Sequence, residues 1–284
     1  MDCTRIIVVG TGTVAAGCIE RAVATMRNVS AVEPEAAGFS TVKATCTKLR
    51  VEYRLMPVPN DLTGFLLGTS ESTLVVSAHN MYIFPEQVLR KKNLNVVNFH
   101  NSLLPAHGGR NAPTWVIFAM ESTSGVTWHQ VAPRVDRGDI IVQSEIAVGE
   151  EDTGLSLTRR CVQLGLDDFS EILPKLLSRS YLRVAQPSEG VSYHWAREIP
   201  NHGVIDLSWS ARKVSAFLRS VDYGKLGVFP PTKVSLLGST YEVAKYELMA
   251  AGGDAMNSNP RELTLRDNML FLRDGRTGIR VSLR

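Results

Sequence analysis

The residues in this chain best suited to doing chemistry together are Asn98, His100 and Asp136. Asn98 and His100 close an apolar run, Asn95-Val96-Val97-Asn98-Phe99-His100, that reads as a β-strand. Alternate residues of a strand face the same side. An amide and an imidazole therefore project together from the carboxyl end of a buried strand, which is where ligands bind in open α/β sheets. An amide N–H there can donate to an oxyanion, and an imidazole can give or take a proton near neutral pH. Downstream, Val135-Asp136-Arg137-Gly138-Asp139 reads as a D-x-G turn. A carboxylate placed beside the imidazole would fix its tautomer and stabilise the protonated ring. Each residue also has a plain structural reading. Asn98 can be a turn or cap residue, His100 a satisfied core histidine, and Asp136 a carboxylate that stabilises its own loop. Spacing alone does not bring Asp136 to His100.

A second motif lies near the start. Gly10-Thr11-Gly12-Thr13-Val14-Ala15 follows an apolar run and opens a helical stretch, with Glu33 further on. The pattern resembles a dinucleotide fingerprint and would suit an NAD-dependent oxidoreductase. The same glycines also serve the tight turn that any α/β sheet needs after its first strand. No G-x-S-x-G accompanies Ser102, so that serine is not read as a nucleophile. Six histidines without ligand-like spacing predict no metal site. Cys3, Cys18, Cys46 and Cys161 show no C-x-x-C spacing and read as buried, reduced thiols.

Elements must position these groups. Arg5–Gly10, Val29–Val32, Val51–Leu55, Leu74–Ser77, Asn95–His100, Gly125–Val131 and Ile140–Ile146 read as strands; Val14–Met26, Pro85–Lys91 and Ala112–Met120 read as helices, and Thr153–Leu177 carries helical periodicity as one long helix or two shorter ones. Alternating strands and helices imply an α/β, Rossmann-like, mostly parallel sheet with helices on both faces. After Leu177 the apolar runs thin out and Pro187, Gly190, Pro200 and Gly203 appear, so Ser178–Ile205 reads as a linker that wraps rather than packs. Beyond the helix Ala211–Arg219, short alternating segments predict a small, mainly β C-terminal domain, with a loop at Ala251–Asn259. The division expected is a catalytic domain over 1–187, then a linker and small domain over 188–284.

Composition bounds the partners. Net charge is only +3 and the densest basic cluster, Arg90-Lys91-Lys92, is three residues long, so no nucleic-acid partner is expected. No apolar stretch approaches a bilayer span, and the N-terminus lacks the features of a signal peptide. The chain reads as a cytoplasmic protein without a membrane partner, its oligomeric state open.

The segment N-F-H-x-S-L-L-P followed by V-D-x-G-D-I is similar to the active-site pattern of the folate-dependent formyltransferases, the family of methionyl-tRNA formyltransferase. The likeness extends back through Val75–Pro85 and forward through Gly125–Thr127 and Glu151–Gly154, and continues faintly in Ile205–Trp209. The resemblance implies 10-formyltetrahydrofolate as formyl donor, with Asn98, His100 and Asp136 as catalytic residues. It implies a pterin held by Met81, Tyr82, Ile83, Phe84, Val131 and Val135. The weak charge and short C-terminal portion disfavour methionyl-tRNA as acceptor. Gly108–Pro113 and Gly125–His129 look closer to the formyltransferases of nonribosomal peptide and siderophore pathways. The expected acceptor is therefore an amino-acid-type amine or hydroxylamine, free or held on a carrier protein, with Arg110 and Asn111 on the acceptor side. The alternative is the amine of a nucleotide-linked amino sugar; a non-enzymatic folate-binding module is a third reading.

Overall fold

The computed structural model describes residues 2–35, 38–249, 262–274 and 277–284. In chain order its elements are β1 (Arg5–Gly10), α1 (Gly12–Thr25), β2 (Val29–Glu33), α2 (Thr41–Leu49), β3 (Glu52–Leu55), α3 (Pro59–Gly68), β4 (Thr73–Ala78), α4 (Glu86–Leu89), β5 (Leu94–His100), β6 (Gly108–Gly109), α5 (Ala112–Ala119), β7 (Thr123–Gln130), β8 (Ile140–Ala147), α6 (Gly154–Ser178), β9 (Tyr193–His194), β10 (Val204–Ile205), α7 (Ala211–Ser220), β11 (Lys233–Leu236), β12 (Ser239–Met249), β13 (Glu262–Arg266), β14 (Met269–Asp274) and β15 (Thr277–Leu283). The loop expected at Ala251–Asn259 lies outside the described residues.

Seven strands form one sheet in the order β3-β2-β1-β4-β5-β7-β8. The first five pair in parallel, and β7 runs antiparallel to β5. In β1, Ile6 to Val9 are all buried, as expected of a parallel strand covered on both faces. On one face Ile7, Val9, Val75 and Val96 pack with Leu62 and Leu66 of α3 and Val88 of α4. On the other, Trp128 stacks on Phe169 of α6 at 5.0 Å, and Gly165 lets that helix come down onto the Phe99 ring. A Cβ at Gly165 would lie 2.0 Å from that ring. Period-two alternation therefore places Asn98 and His100 on the Val96 face and Phe99 on the α6 face.

The Gly10 loop meets the plain reading of its sequence. A Cβ at Gly10 would lie 1.9 Å from the Ala78 carbonyl oxygen, and Gly12 has φ +67°, which a glycine adopts without cost. Glu33 is buried, and its Oε2 accepts from Ser40 Oγ at 2.6 Å and from Tyr53 Oη at 2.8 Å. The acid that a dinucleotide ribose would need is thus engaged by the N-cap serine of α2 and a tyrosine of β3.

The chain divides into two compact units. The first comprises Met1–Arg110, Gly125–Ile146 and Arg159–His194, and the second Asn111–Ser124, Ala147–Thr158 and Trp195–Arg284. The stretch after α6 packs onto the first unit more than its composition implies. Val184 bridges to Ile140, β9 pairs with β6, and Gln186 Nε2 donates to the carbonyls of Asp136 and Gly138, both at 2.8 Å.

In the second unit α7 is capped by Ser210, whose Oγ accepts from Lys213 N at 3.2 Å. Its apolar face, Val214, Phe217 and Leu218, packs on Leu270, Leu272, Ile279 and Val281 of a six-stranded sheet ordered β10-β11-β12-β15-β14-β13. Phe118 of α5 and Trp209 join this core, and Lys213 Nζ sits 3.6 Å from the Phe118 ring centroid.

Candidate active site

Asn98 and His100 stand where the strand reading puts them, at the carboxyl end of β5. The antiparallel register sets His129 of β7 opposite Asn98 and Thr127 opposite His100. Asn98 uses both ends of its amide. Oδ1 accepts from Ser77 Oγ at 2.6 Å; Nδ2 donates to the Phe99 carbonyl at 3.1 Å and lies 3.0 Å from His129 Nε2. His100 is 8% exposed, and its Nε2 lies 2.9 Å from the His107 carbonyl oxygen. A carbonyl only accepts, so this nitrogen carries the hydrogen and Nδ1 faces the Asp136 carboxylate, 3.6 Å from Oδ2. That separation is an ion-pair distance rather than a hydrogen bond.

Asp136 is brought there by its turn. It has φ +53°, and its Oδ2 accepts from the Gly109 N–H at 2.8 Å. Its Oδ1 lies 3.6 Å from His129 Nε2. A Cβ at Gly138 would fall 1.7 Å from the Gln130 carbonyl oxygen, so the D-x-G turn can close against β7 only with glycine at that place. Burial alone would raise the Asp136 pKa. The positive potential of His100, the contacts with His129 and the Gly109 N–H outweigh it and hold the carboxyl well below the usual carboxylate range. The site thus contains a fixed carboxylate 3.6 Å from each of two imidazoles.

Of the residues expected to hold a pterin, Tyr82, Phe84 and Val131 lie in one cluster. Tyr82 and Phe84 are buried, edge-to-face at 4.9 Å, in the cluster that also contains Val131. Tyr82 Oη is hydrogen-bonded to Thr63 Oγ1 at 2.8 Å. Met81, Ile83 and Val135 are exposed. Tyr82 and Phe84 therefore hold the segment down, and Met81, Ile83, Val135 and the backbone are what it presents outward. Arg110 has an exposed side chain, and its backbone N–H donates to the His194 carbonyl at 2.9 Å. Asn111 opens the second unit, with φ 56° at the N-cap position of α5.

Sequence reasoning missed four participants. His129 could have been found by pairing the strands antiparallel. Ser77 and Asn80 lie in a segment quoted only for its likeness. The fourth, Tyr193, packs over Gly108 and Gly109, and Asp136 raises its phenol pKa further after burial has done so. Nearby, His79 Nε2 lies 3.0 Å from Asn101 Nδ2, and burial, aided by the positive potentials of His100 and Arg110, pushes the imidazole down to about 4.

Comparison with known proteins bears on this geometry. Residues 36–173 match the formyl transferase family. That span contains Asn98, His100, His129 and Asp136. A curated relative, the GDP-perosamine N-formyltransferase of Brucella melitensis, is 33% identical over 175 residues, 62% of this chain and 65% of the relative. The chain thus spans just under two thirds of that relative's length. Two solved structures share the fold. One is an N-formyltransferase from Helicobacter canadensis in complex with folinic acid and dTDP-3-aminofucose, with a TM-score of 0.73, 14% identity and 99% of each chain covered. The other is a sugar N-formyltransferase from a Shewanella species, with a TM-score of 0.66, 20% identity, and 84% of this chain and 96% of that one covered. These relatives correct the expectation of an amino-acid-type or carrier-protein-bound acceptor: the names of all three point to sugars, and none to an amino acid or a carrier protein. The motifs at Gly108–Pro113 and Gly125–His129 misled because they adjoin Asn98, His100 and Asp136 and say nothing of what lies beyond those groups.

Proposed function

We propose that this chain transfers a formyl group from 10-formyltetrahydrofolate to the amino group of a nucleotide-linked sugar. The observation that carries the reading is the convergence of Asn98, His100 and Asp136 at one strand end, within the segment that matches the formyl transferase family. The Brucella relative, named for GDP-perosamine, supports the acceptor class.

The folate supplies an activated formyl carbon, and the chain's residues supply the rest. Attack by the acceptor amine drives negative charge onto the formyl oxygen. Asn98 Nδ2–H donates to that oxygen in exchange for its contact with the Phe99 carbonyl or His129 Nε2, a contribution of about 3–4 kcal/mol for a preorganised oxyanion donor. The new C–N bond forms as the bond from the formyl carbon to the folate nitrogen breaks. The proton lost by the acceptor amine passes to the departing folate nitrogen through His100. Its Nε2 is held by the His107 carbonyl, which leaves Nδ1, the nitrogen that faces Asp136, to take up and release the proton. The Asp136 carboxylate, its pKa held well below the usual carboxylate range, stabilises the imidazolium. The exposed apolar surfaces of Met81, Ile83 and Val135 fit a flat heteroaromatic ring, with peptide groups to read its edge. Arg110 is assigned to the acceptor side, where its planar fork suits a phosphate.

A thermal-shift panel tests the binding half of this reading. Folinic acid and an amino-sugar nucleotide should each stabilise the protein, by about 2.7 kcal/mol at a hundredfold excess over Kd. Stabilisation by NADH with none by folinic acid would overturn it.

A further inference from the structure

A directed chain of hydrogen bonds runs into the Asn98 amide from the segment assigned to the folate. It starts at a backbone group. The Tyr82 N–H donates to Asn80 Oδ1 at 2.7 Å. An N–H cannot accept, so the Asn80 carbonyl must face it and the Asn80 Nδ2 must point the other way, where it meets Ser77 Oγ in a very short contact. The Ser77 oxygen is then accepting, and its own proton is free for Asn98 Oδ1, 2.6 Å away. That leaves Asn98 Nδ2 as the outward end, on the side of His129 Nε2 and the Phe99 carbonyl. Every polarity in the chain follows from the Tyr82 N–H. Ser77 is 2% exposed, so no bulk solvent competes for its hydroxyl.

We propose that Ser77 and Asn80 are positioning residues for formyl transfer: they fix the Asn98 amide with its N–H toward the formyl oxygen, and they tie that orientation to the Met81–Phe84 segment. The proposal rests on the formyl-transfer reading and deepens it. An amide's two ends are nearly isosteric, and a turned-over Asn98 would aim a carbonyl at the developing oxyanion. Hydrogen-bond polarity opposes that exchange at both ends: Ser77 O–H requires Oδ1, and the Phe99 carbonyl requires an Nδ2–H.

Asn80→Asp is the sharpest test, because it changes one group and almost no volume. The ionised carboxylate can still accept from Tyr82 N–H but cannot donate to Ser77. The Ser77 proton then turns toward it, and Ser77 Oγ and Asn98 Oδ1 face each other with no hydrogen between them. We expect kcat to fall at least tenfold with KM for the folate changed less than threefold, within the range set by loss of an oxyanion donor. Acid should restore activity relative to wild type, since the protonated carboxyl again donates to Ser77. Ser77→Ala should lower kcat in the same way without the acid rescue. Thermal melting checks that both variants fold. The side-chain amide signal of Asn98 in a 1H–15N spectrum gives a readout independent of turnover, and it should move in both variants. Wild-type kcat in a folded Asn80→Asp protein, or an unmoved Asn98 amide signal, overturns the proposal. Should the wild type form no formylated sugar while the amide signal moves as expected, the reading of the reaction fails and the positioning role stands.

Discussion

At the scale of single residues, groups proposed to touch the reacting atoms differ from groups proposed to aim them. Asn98→Ala, His100→Ala and Asp136→Ala should each lower kcat by about 10² to 10³ with the fold intact, and the triple variant should be little worse than the worst single one, because groups acting as a unit give non-additive losses. Steady-state kinetics on the four proteins checks this; additive losses would show that the three act separately. Arg110→Ala should raise KM for the nucleotide sugar with kcat little changed, the signature of lost ground-state binding. His79 yields a pH prediction. Its folded pKa of about 4 lies below the 6.5 of a free imidazole, so the folded state binds fewer protons and stability declines as pH falls from 6.5 through 4. The wild type should therefore lose on the order of 1 kcal/mol relative to His79→Asn across that window, read from urea melts at each pH. Asparagine suits the left-handed φ of 51° at this position. Equal slopes for the two proteins would contradict it. The pair Asn98 and His100 was legible because period two fixes their shared face. The Asp136 contact was not, since it depends on a turn that closes against Gln130 only in the folded chain.

Among elements, long patterned segments were readable and sparsely patterned ones were not. β1, β4 and β5 declare themselves as β-branched runs, and the sequence pattern of α6 gives its bounds almost to the residue. α2 and α3 escaped notice. α2 carries only Val42 and Cys46 as buried residues amid threonine and lysine, and α3 holds two glycines that weaken the helical pattern. The reversal of β7 also left no local trace, because strand direction is a property of connection and packing rather than of composition. Close approach of α6 to β5 gives a prediction here. Gly165→Ala should destabilise by about 1–3 kcal/mol through overpacking against Phe99, and Phe99→Leu should recover part of the loss in the double variant. Differential scanning calorimetry on the four proteins of this cycle measures the coupling. A fully additive result would mean that the contact does not bear on stability.

For the whole molecule, α/β architecture with a β-rich C-terminal portion followed from the order of elements, while the acceptor did not. The groups proposed to perform formyl transfer lie within about forty consecutive residues and carry a recognisable pattern. Acceptor choice is spread over surfaces that no short motif encodes, which is why the amino-acid reading failed against the relatives' names. No helix among the described residues is long and apolar enough to cross a membrane. The central claim is that this site moves a formyl group from a folate to a sugar amine. Its most direct test is mass spectrometry of purified protein incubated with 10-formyltetrahydrofolate and a set of GDP- and dTDP-linked amino sugars. The account predicts that at least one amino sugar gains the mass of a single formyl group, with tetrahydrofolate released in equal amount and neither product formed by the His100→Ala protein. Formylation of a free amino acid with every sugar nucleotide untouched, or sugar turnover undiminished in the His100→Ala protein, would contradict it.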